Sequence, residues 1–192
     1  MSTIIFLLGI GSSGKSTIAN ALLQHLRDSY HLTGFDYSVE SLDKKYWPGG
    51  SHEREGFYVK KSITEHGETS ELIAGTIGKA FLKKMLEDMI RQADEGNNLI
   101  IDTVPSDEEY QELLSAFKDH EILCVGIKPP VEVIIERENR RSDRRPGTAK
   151  AAYQQFYANK KFDLEIDTSQ VSAEDAVESI LAQLQGNKPL HK

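Results

Sequence analysis

The stretch Gly9-Ile10-Gly11-Ser12-Ser13-Gly14-Lys15-Ser16 constrains this chain more than any other. It satisfies G-x-x-x-x-G-K-[ST], and its surroundings are those the pattern requires: the apolar run Ile4-Ile5-Phe6-Leu7-Leu8 before it, and Ile18, Ala21, Leu22 and Leu26 at helical spacing after it. The chemistry follows from the residue types. Gly9, Gly11 and Gly14 let the backbone curl so that the N–H groups of the loop, Ser12 and Ser13 included, turn inward toward phosphate oxygens. The helix opening at Lys15 adds the positive end of its dipole. Lys15 reaches the outer phosphates, Ser16 offers a hydroxyl oxygen to Mg²⁺, and Thr17 completes the loop-to-helix junction. A strand, a phosphate loop and a helix in this order predict a nucleoside triphosphate site at Gly9–Thr17.

The 192 residues fit one domain, and 39% hydrophobic with 28% charged residues is an ordinary globular composition. With 23 basic against 30 acidic residues the net charge is −7, so bulk attraction to nucleic acid or to an anionic membrane is not expected. The single cysteine, Cys124, stands in the apolar run Ile122-Leu123-Cys124-Val125 and reads as a small buried hydrophobe. The apolar start lacks a basic flank and runs directly into the loop, so it reads as a strand and not as a signal peptide. The expectation is a cytoplasmic protein, with a homo-oligomer left open.

Strand-like and helix-like segments alternate, which predicts an α/β fold with a parallel sheet covered by helices on both faces. Strands are expected at 4–8, 31–35, 98–102 and 121–127, with a half-covered edge strand at 162–166. Helices are expected from Lys15 to about Asp28, from Thr69 to about Ala93, after the capping box Ser106-Asp107-Glu108-Glu109, after Pro129-Pro130, over 149–158, and from Ser172 to Gly186. The segment 45–70, with Tyr46-Trp47 and Phe57-Tyr58-Val59, reads either as an insertion over the active site or as a surface loop whose aromatic rings cover the core. Phe57-Tyr58-Val59 reads as one arm of a small hairpin.

Three further groups carry chemistry. Asp102 closes the apolar strand Leu99-Ile100-Ile101 in the manner of a carboxylate that holds Mg²⁺, the alternative being a solvated strand-end aspartate. Asp36 ends the strand after the first helix, where ligands of open α/β sheets bind, and is placed to take a proton from a substrate hydroxyl or, alternatively, to cap a helix. Arg137, Arg140, Arg141, Arg144 and Arg145 crowd before Pro146-Gly147 in an acidic chain. Forked guanidinium groups suit phosphate, so 137–148 reads as an arginine lid, with Arg137, Arg141 and Arg144 the favoured members. Glu136, Glu138 and Asp143 offer the others local partners. Asn159-Lys160-Lys161-Phe162-Asp163 has one residue too many for the guanine-selecting N-K-x-D pattern.

Taken together, Gly9–Ser16, Gly34-Phe35-Asp36, Leu99-Ile100-Ile101-Asp102-Thr103-Val104, and Arg137-Glu138 through Asp143-Arg144 to Phe162–Thr168 resemble the chloramphenicol phosphotransferase-like P-loop kinases. The resemblance implies a kinase-type P-loop NTPase fold with a five-stranded sheet in a three-layer α/β/α arrangement. It also implies ATP- and Mg²⁺-dependent phosphorylation of a hydroxyl on a small molecule. It maps the catalytic aspartate onto Asp36 and the phosphate-binding arginines onto Arg137, Arg141 and Arg144. Segment 45–70 matches weakly, so the acceptor is open: chloramphenicol, another antibiotic, a metabolite or a nucleoside. Two rival readings stand beside this one, a nucleoside or nucleotide kinase and a regulatory ATP-binding module without transfer activity.

Overall fold

In the computed structural model, which describes residues 1–64, 67–140 and 149–186, the first strand is the axis of the molecule. β1 (Thr3–Leu8) lies at the centre of a five-stranded sheet whose order is β2 (Tyr30–Gly34), β5 (Asn98–Thr103), β1, β6 (Glu121–Ile127), β7 (Leu164–Ile166). Every pairing in it is parallel. Because strand side chains alternate, β1 supplies both cores. Ile4, Phe6 and Leu8 face a cluster completed by Met89, Ala93, Phe117, Ile134 and Phe156. Ile5 and Leu7 face Ile18, Ala19, Leu22, Ala176, Val177 and Ile180. Each fully buried Ile, Leu or Phe contributes roughly 1.5–3 kcal/mol of apolar transfer, which is why a continuous apolar run, and not an alternating one, marks this strand.

The helices form the outer layers. α1 (Lys15–His25) and α7 (Ala173–Gly186) cover one face; α3 (Thr76–Asp94), α4 (Asp107–Ala116), α5 (Val131–Asn139) and α6 (Ala149–Tyr157) contribute to the other. Their ends follow local chemistry. Ser106 and Glu109 form a reciprocal capping box at the start of α4, and Gly96 takes a positive φ of 97° just beyond α3. The α1 helix stops at His25, earlier than its periodicity suggests, because Leu26 is already extended.

One expectation is overturned. The helix predicted from Thr69 begins only at Thr76; Gly67–Ala74 is strand β4, paired antiparallel with β3 (Phe57–Thr64). Leu72 and Ile73 therefore belong to the hairpin and not to the apolar face of α3. Gly75 marks the break: its N–H donates to the Gly56 carbonyl at 2.7 Å, closing the hairpin at its base. Between β2 and β3 lie a single turn, α2 (Phe35–Ser38), and short 3₁₀ turns at Val39–Ser41 and Lys44–Tyr46. No helix among the described residues is long and apolar enough to cross a membrane.

Candidate active site

The chain leaves β1 at the carboxyl edge of the sheet and turns through Gly9–Gly14 into α1. Gly9 is there because nothing larger fits: a Cβ would lie 2.6 Å from the Ile127 carbonyl and 3.0 Å from the Tyr157 hydroxyl. That hydroxyl donates to the Ile127 carbonyl and accepts from the Ile10 N–H at 3.4 Å, tying α6 to the loop. Burial pushes the Tyr157 phenol well above its ordinary range. Gly14 sits at φ 103° against the Thr168 side chain, and Ser12 holds a positive φ of 62°, a left-handed conformation costing about 1 kcal/mol in a non-glycine residue. Gly11 lies half-buried in the turn, and Thr17 is exposed on α1. Ser13 is fully buried. Neither the Ser12 nor the Ser13 hydroxyl has a hydrogen-bond partner among the described residues.

The strand-end carboxylate meets the loop. Asp102 is 7% exposed; its Oδ2 accepts from the Ser16 hydroxyl at 2.9 Å, and its Oδ1 lies 3.7 Å from Lys15 Nζ. The Lys15 ammonium, itself buried, also donates to the Ile10 carbonyl at 3.3 Å. Asp102 is thus a buried aspartate holding a serine hydroxyl beside a lysine, and not a solvated strand end.

Arg137, one of the arginines expected to bind phosphate, is hydrogen-bonded to the backbone of the loop. Its Nη1 donates to the carbonyls of Ser12 (3.4 Å) and Ser13 (3.2 Å) and to Thr168 Oγ1 (2.8 Å), and its Nη2 donates to the Thr168 carbonyl (2.9 Å). Thr168 Oγ1 in turn donates to the Ser13 carbonyl at 2.7 Å. Arg140 pairs with Glu136 on an exposed helix face, as an arginine with a local partner should. Arg141 and Arg144 lie outside the described residues, as does most of the predicted lid.

Asp36 stands in the first turn of α2. The cap of that helix is Gly34, without a side-chain hydrogen bond, so Asp36 is not the N-cap. Gly34 is in register with Asp102, which sets the turn directly beyond the ends of β2 and β5. The turn divides three side chains. Phe35 joins an aromatic cluster with Trp47 (6.1 Å between ring centroids) and Phe57 (5.1 Å), and Phe81 lies 6.2 Å from Phe57. Asp36 is exposed. Tyr37 is exposed as well, and partial burial, with the Asp102 carboxylate nearby, raises the pKa of its phenol.

Tyr157 carries no sequence signal that marks it, and Thr168 is marked only as the last residue of the block Phe162–Thr168; the two meet the loop from more than 140 positions away. The near-miss guanine pattern has other duties. Lys160 and Asn159 bind Asp107, and Asp163 accepts from the Cys124 N–H at 2.7 Å.

A P-loop on a central parallel strand, with a lysine, a serine and a strand-end aspartate beside it, is the arrangement of a P-loop NTPase. Residues 2–185 match the family described as chloramphenicol phosphotransferase-like protein, and the chain belongs to that family. Solved structures agree on the fold. The tunicamycin resistance protein of Deinococcus radiodurans is 21% identical with TM-score 0.61, covering 96% of each chain. A sugar kinase from a Janibacter species is 17% identical with TM-score 0.62, covering 96% of this chain and 95% of that one. Shikimate kinase from Aquifex aeolicus is 21% identical with TM-score 0.58, covering 96% and 97%. No curated protein matches the chain by sequence.

Proposed function

We propose that this protein transfers the γ-phosphoryl group of ATP to a hydroxyl of a small molecule. The observation that carries the reading is the start of α2, where Gly34 is in register with Asp102, Phe35 enters the aromatic cluster with Trp47 and Phe57, and Asp36 follows on the same turn. A donor site on one side, an acceptor surface on the other and a carboxylate between them are the parts that transfer requires.

The residues fit Mg·ATP. Two buried serine hydroxyls without a partner among the described residues, and a loop in which Gly9 leaves no space for a side chain, suit a polyanion held against the backbone. Lys15 and the loop amides would hold the phosphates; Ser16, with Asp102 behind it, would hold Mg²⁺. When bound, the metal neutralises charge on the phosphate oxygens. Asp36 takes the acceptor proton as the acceptor oxygen bonds to the γ-phosphorus and the bond to the β,γ-bridging oxygen breaks, releasing ADP. Arg137 keeps the loop carbonyls turned outward, so that the amides stay turned in. Arg141 and Arg144 would bring further positive charge to the phosphoryl group.

The aromatic rings favour an acceptor with an apolar or planar body beside its hydroxyl, such as an antibiotic of the chloramphenicol type or a nucleoside. The chain fits a single kinase domain with segment 45–70 shaping the acceptor side, and a cytoplasmic setting suits an ATP-dependent enzyme. Incubation with Mg·ATP and a panel of hydroxyl-bearing antibiotics, sugars and nucleosides, read by mass spectrometry, tests the reading. One acceptor gains a phosphoryl group with the wild type, whereas Asp36→Asn binds ATP normally and transfers nothing. Equal turnover by the mutant removes Asp36 as the base.

A further inference from the structure

We propose that Thr168 is a positioning residue of the phosphate loop, whose hydroxyl aims the Gly14 amide at the diphosphate portion of a bound nucleotide. The proposal rests on the kinase reading above and adds to its donor side a residue that touches no substrate. Its ground is a single peptide unit. In a planar trans peptide the carbonyl and the N–H that share the C–N bond point in opposite directions, so a group that holds the oxygen also aims the hydrogen. The Ser13 carbonyl and the Gly14 N–H form such a pair. Gly14 is the N-cap of α1, and its own carbonyl accepts from the Ile18 N–H at 3.2 Å, so the Ser13 carbonyl lies outside the helix ladder. Thr168 Oγ1 donates its one hydrogen to that carbonyl at 2.7 Å.

The hydroxyl is itself held in place. Arg137 Nη1 donates to Thr168 Oγ1 at 2.8 Å and to the Ser13 carbonyl at 3.2 Å, and Arg137 Nη2 donates to the Thr168 carbonyl at 2.9 Å. Guanidinium, hydroxyl and Ser13 carbonyl close a triangle of hydrogen bonds on the side of the peptide away from its N–H. Thr168 enters that triangle from the turn after β7, which Asp167 fixes: Asp167 Oδ1 accepts from the Ser169 N–H at 2.8 Å and from the Ser169 hydroxyl at 2.6 Å. A Cβ on Gly14 would stand 3.3 Å from the Thr168 methyl carbon, so the methyl lies along Gly14 while the hydroxyl reaches past it to Ser13. One hydroxyl thus governs which way an amide of the nest faces, and inward-facing amides are what a nest uses to bind phosphate. Without it the Ser13 carbonyl keeps the longer Arg137 bond, and the Ser13–Gly14 peptide is freer to turn.

Thr168→Val keeps the methyl and removes the hydroxyl, whereas Thr168→Ser keeps the hydroxyl and removes the methyl. Calorimetric titrations of wild type and both variants with Mg·ADP, and separately with the Mg²⁺ complex of the β,γ-imido analogue of ATP, read the difference. Thr168→Val is expected to bind both nucleotides about ten-fold more weakly, and by the same factor, because the amide serves a phosphate that both carry. Thr168→Ser is expected to stay within about two-fold of wild type. Wild-type affinity in Thr168→Val overturns the proposal. Equal weakening in Thr168→Val and Thr168→Ser also overturns it, assigning the effect to the methyl against Gly14. A loss confined to the imido analogue overturns it as well, since the bond would then act at the terminal phosphate. A wild type that binds neither nucleotide overturns the kinase reading and the Thr168 role with it. Unfolding midpoints taken without nucleotide establish that each variant is folded under the conditions of titration.

Discussion

Gly34 and Asp102 face each other across β2 and β5 with no space for a side-chain carbon: a Cβ on Gly34 would lie 2.2 Å from the Asp102 carbonyl oxygen. Gly34 also takes φ 145°, a conformation that L side chains rarely adopt. Gly34→Ala must strain its own backbone and push away the strand that carries the Asp102 carboxylate. The expected cost is about 3 kcal/mol or more, measured by urea unfolding. Nucleotide affinity should fall as well, because Asp102 and α2 both move.

Arg137 holds the loop through carbonyl oxygens. Two of its bonds share one nitrogen with Thr168 Oγ1, and the other nitrogen reaches the Thr168 carbonyl, a planar fork that an ammonium cannot copy. Arg137→Lys is therefore expected to behave much like Arg137→Ala, each weakening Mg·ATP binding about ten-fold or more as the loop loosens. Fluorescent-nucleotide titration reads this. A lysine variant with wild-type affinity would show that charge alone suffices.

Lys160 and Asp107 form an unequal pair: the lysine side chain is 2% exposed and the aspartate 48%. Removing the aspartate leaves a buried ammonium, whereas removing the lysine leaves a carboxylate that water can reach. Asp107→Ala should cost about 2 kcal/mol and Lys160→Met less than about 1 kcal/mol. The hydrogen bond from Lys160, aided by one from Asn159, lowers the Asp107 pKa. A carboxylate lowered on folding stabilises at pH above its unfolded value, and that contribution disappears as pH falls through the folded one. Wild-type stability should therefore drop in strong acid more steeply than that of Lys160→Met, which denaturation midpoints across acid pH would measure.

What the sequence discloses here is what is local. The phosphate loop, the capping box and the buried strands are each written in adjacent residues, and they appear where the chain predicts them. Strand β4 reads as helix from the sequence because its apolar residues do not alternate: Leu72 and Ile73 are neighbours, Leu72 is 44% exposed, and Ile73 extends the four-residue spacing of Ile77 and Phe81. A hairpin with much of its surface in solvent lacks the period-two signal of a half-buried strand. The partners of Arg137 were hidden for another reason. Its four bonds end on Ser12, Ser13 and Thr168, three of them on main-chain carbonyls and all of them far along the chain, where composition carries no trace.

The bond from Gly75 to Gly56 has a consequence for how this enzyme could change its preferences. It fastens the two ends of the hairpin to each other, so the chain departs from and returns to one point of the scaffold. Residues 57–74 form in that sense a cassette, with Phe57 buried in the aromatic cluster and β4 packed also against α6. A lineage could redraw the cassette by insertion, deletion or exchange while the phosphate machinery on β1, α1 and β5 stays as it is. Grafting a relative's hairpin between Gly56 and Gly75 would be the economical route to a new acceptor.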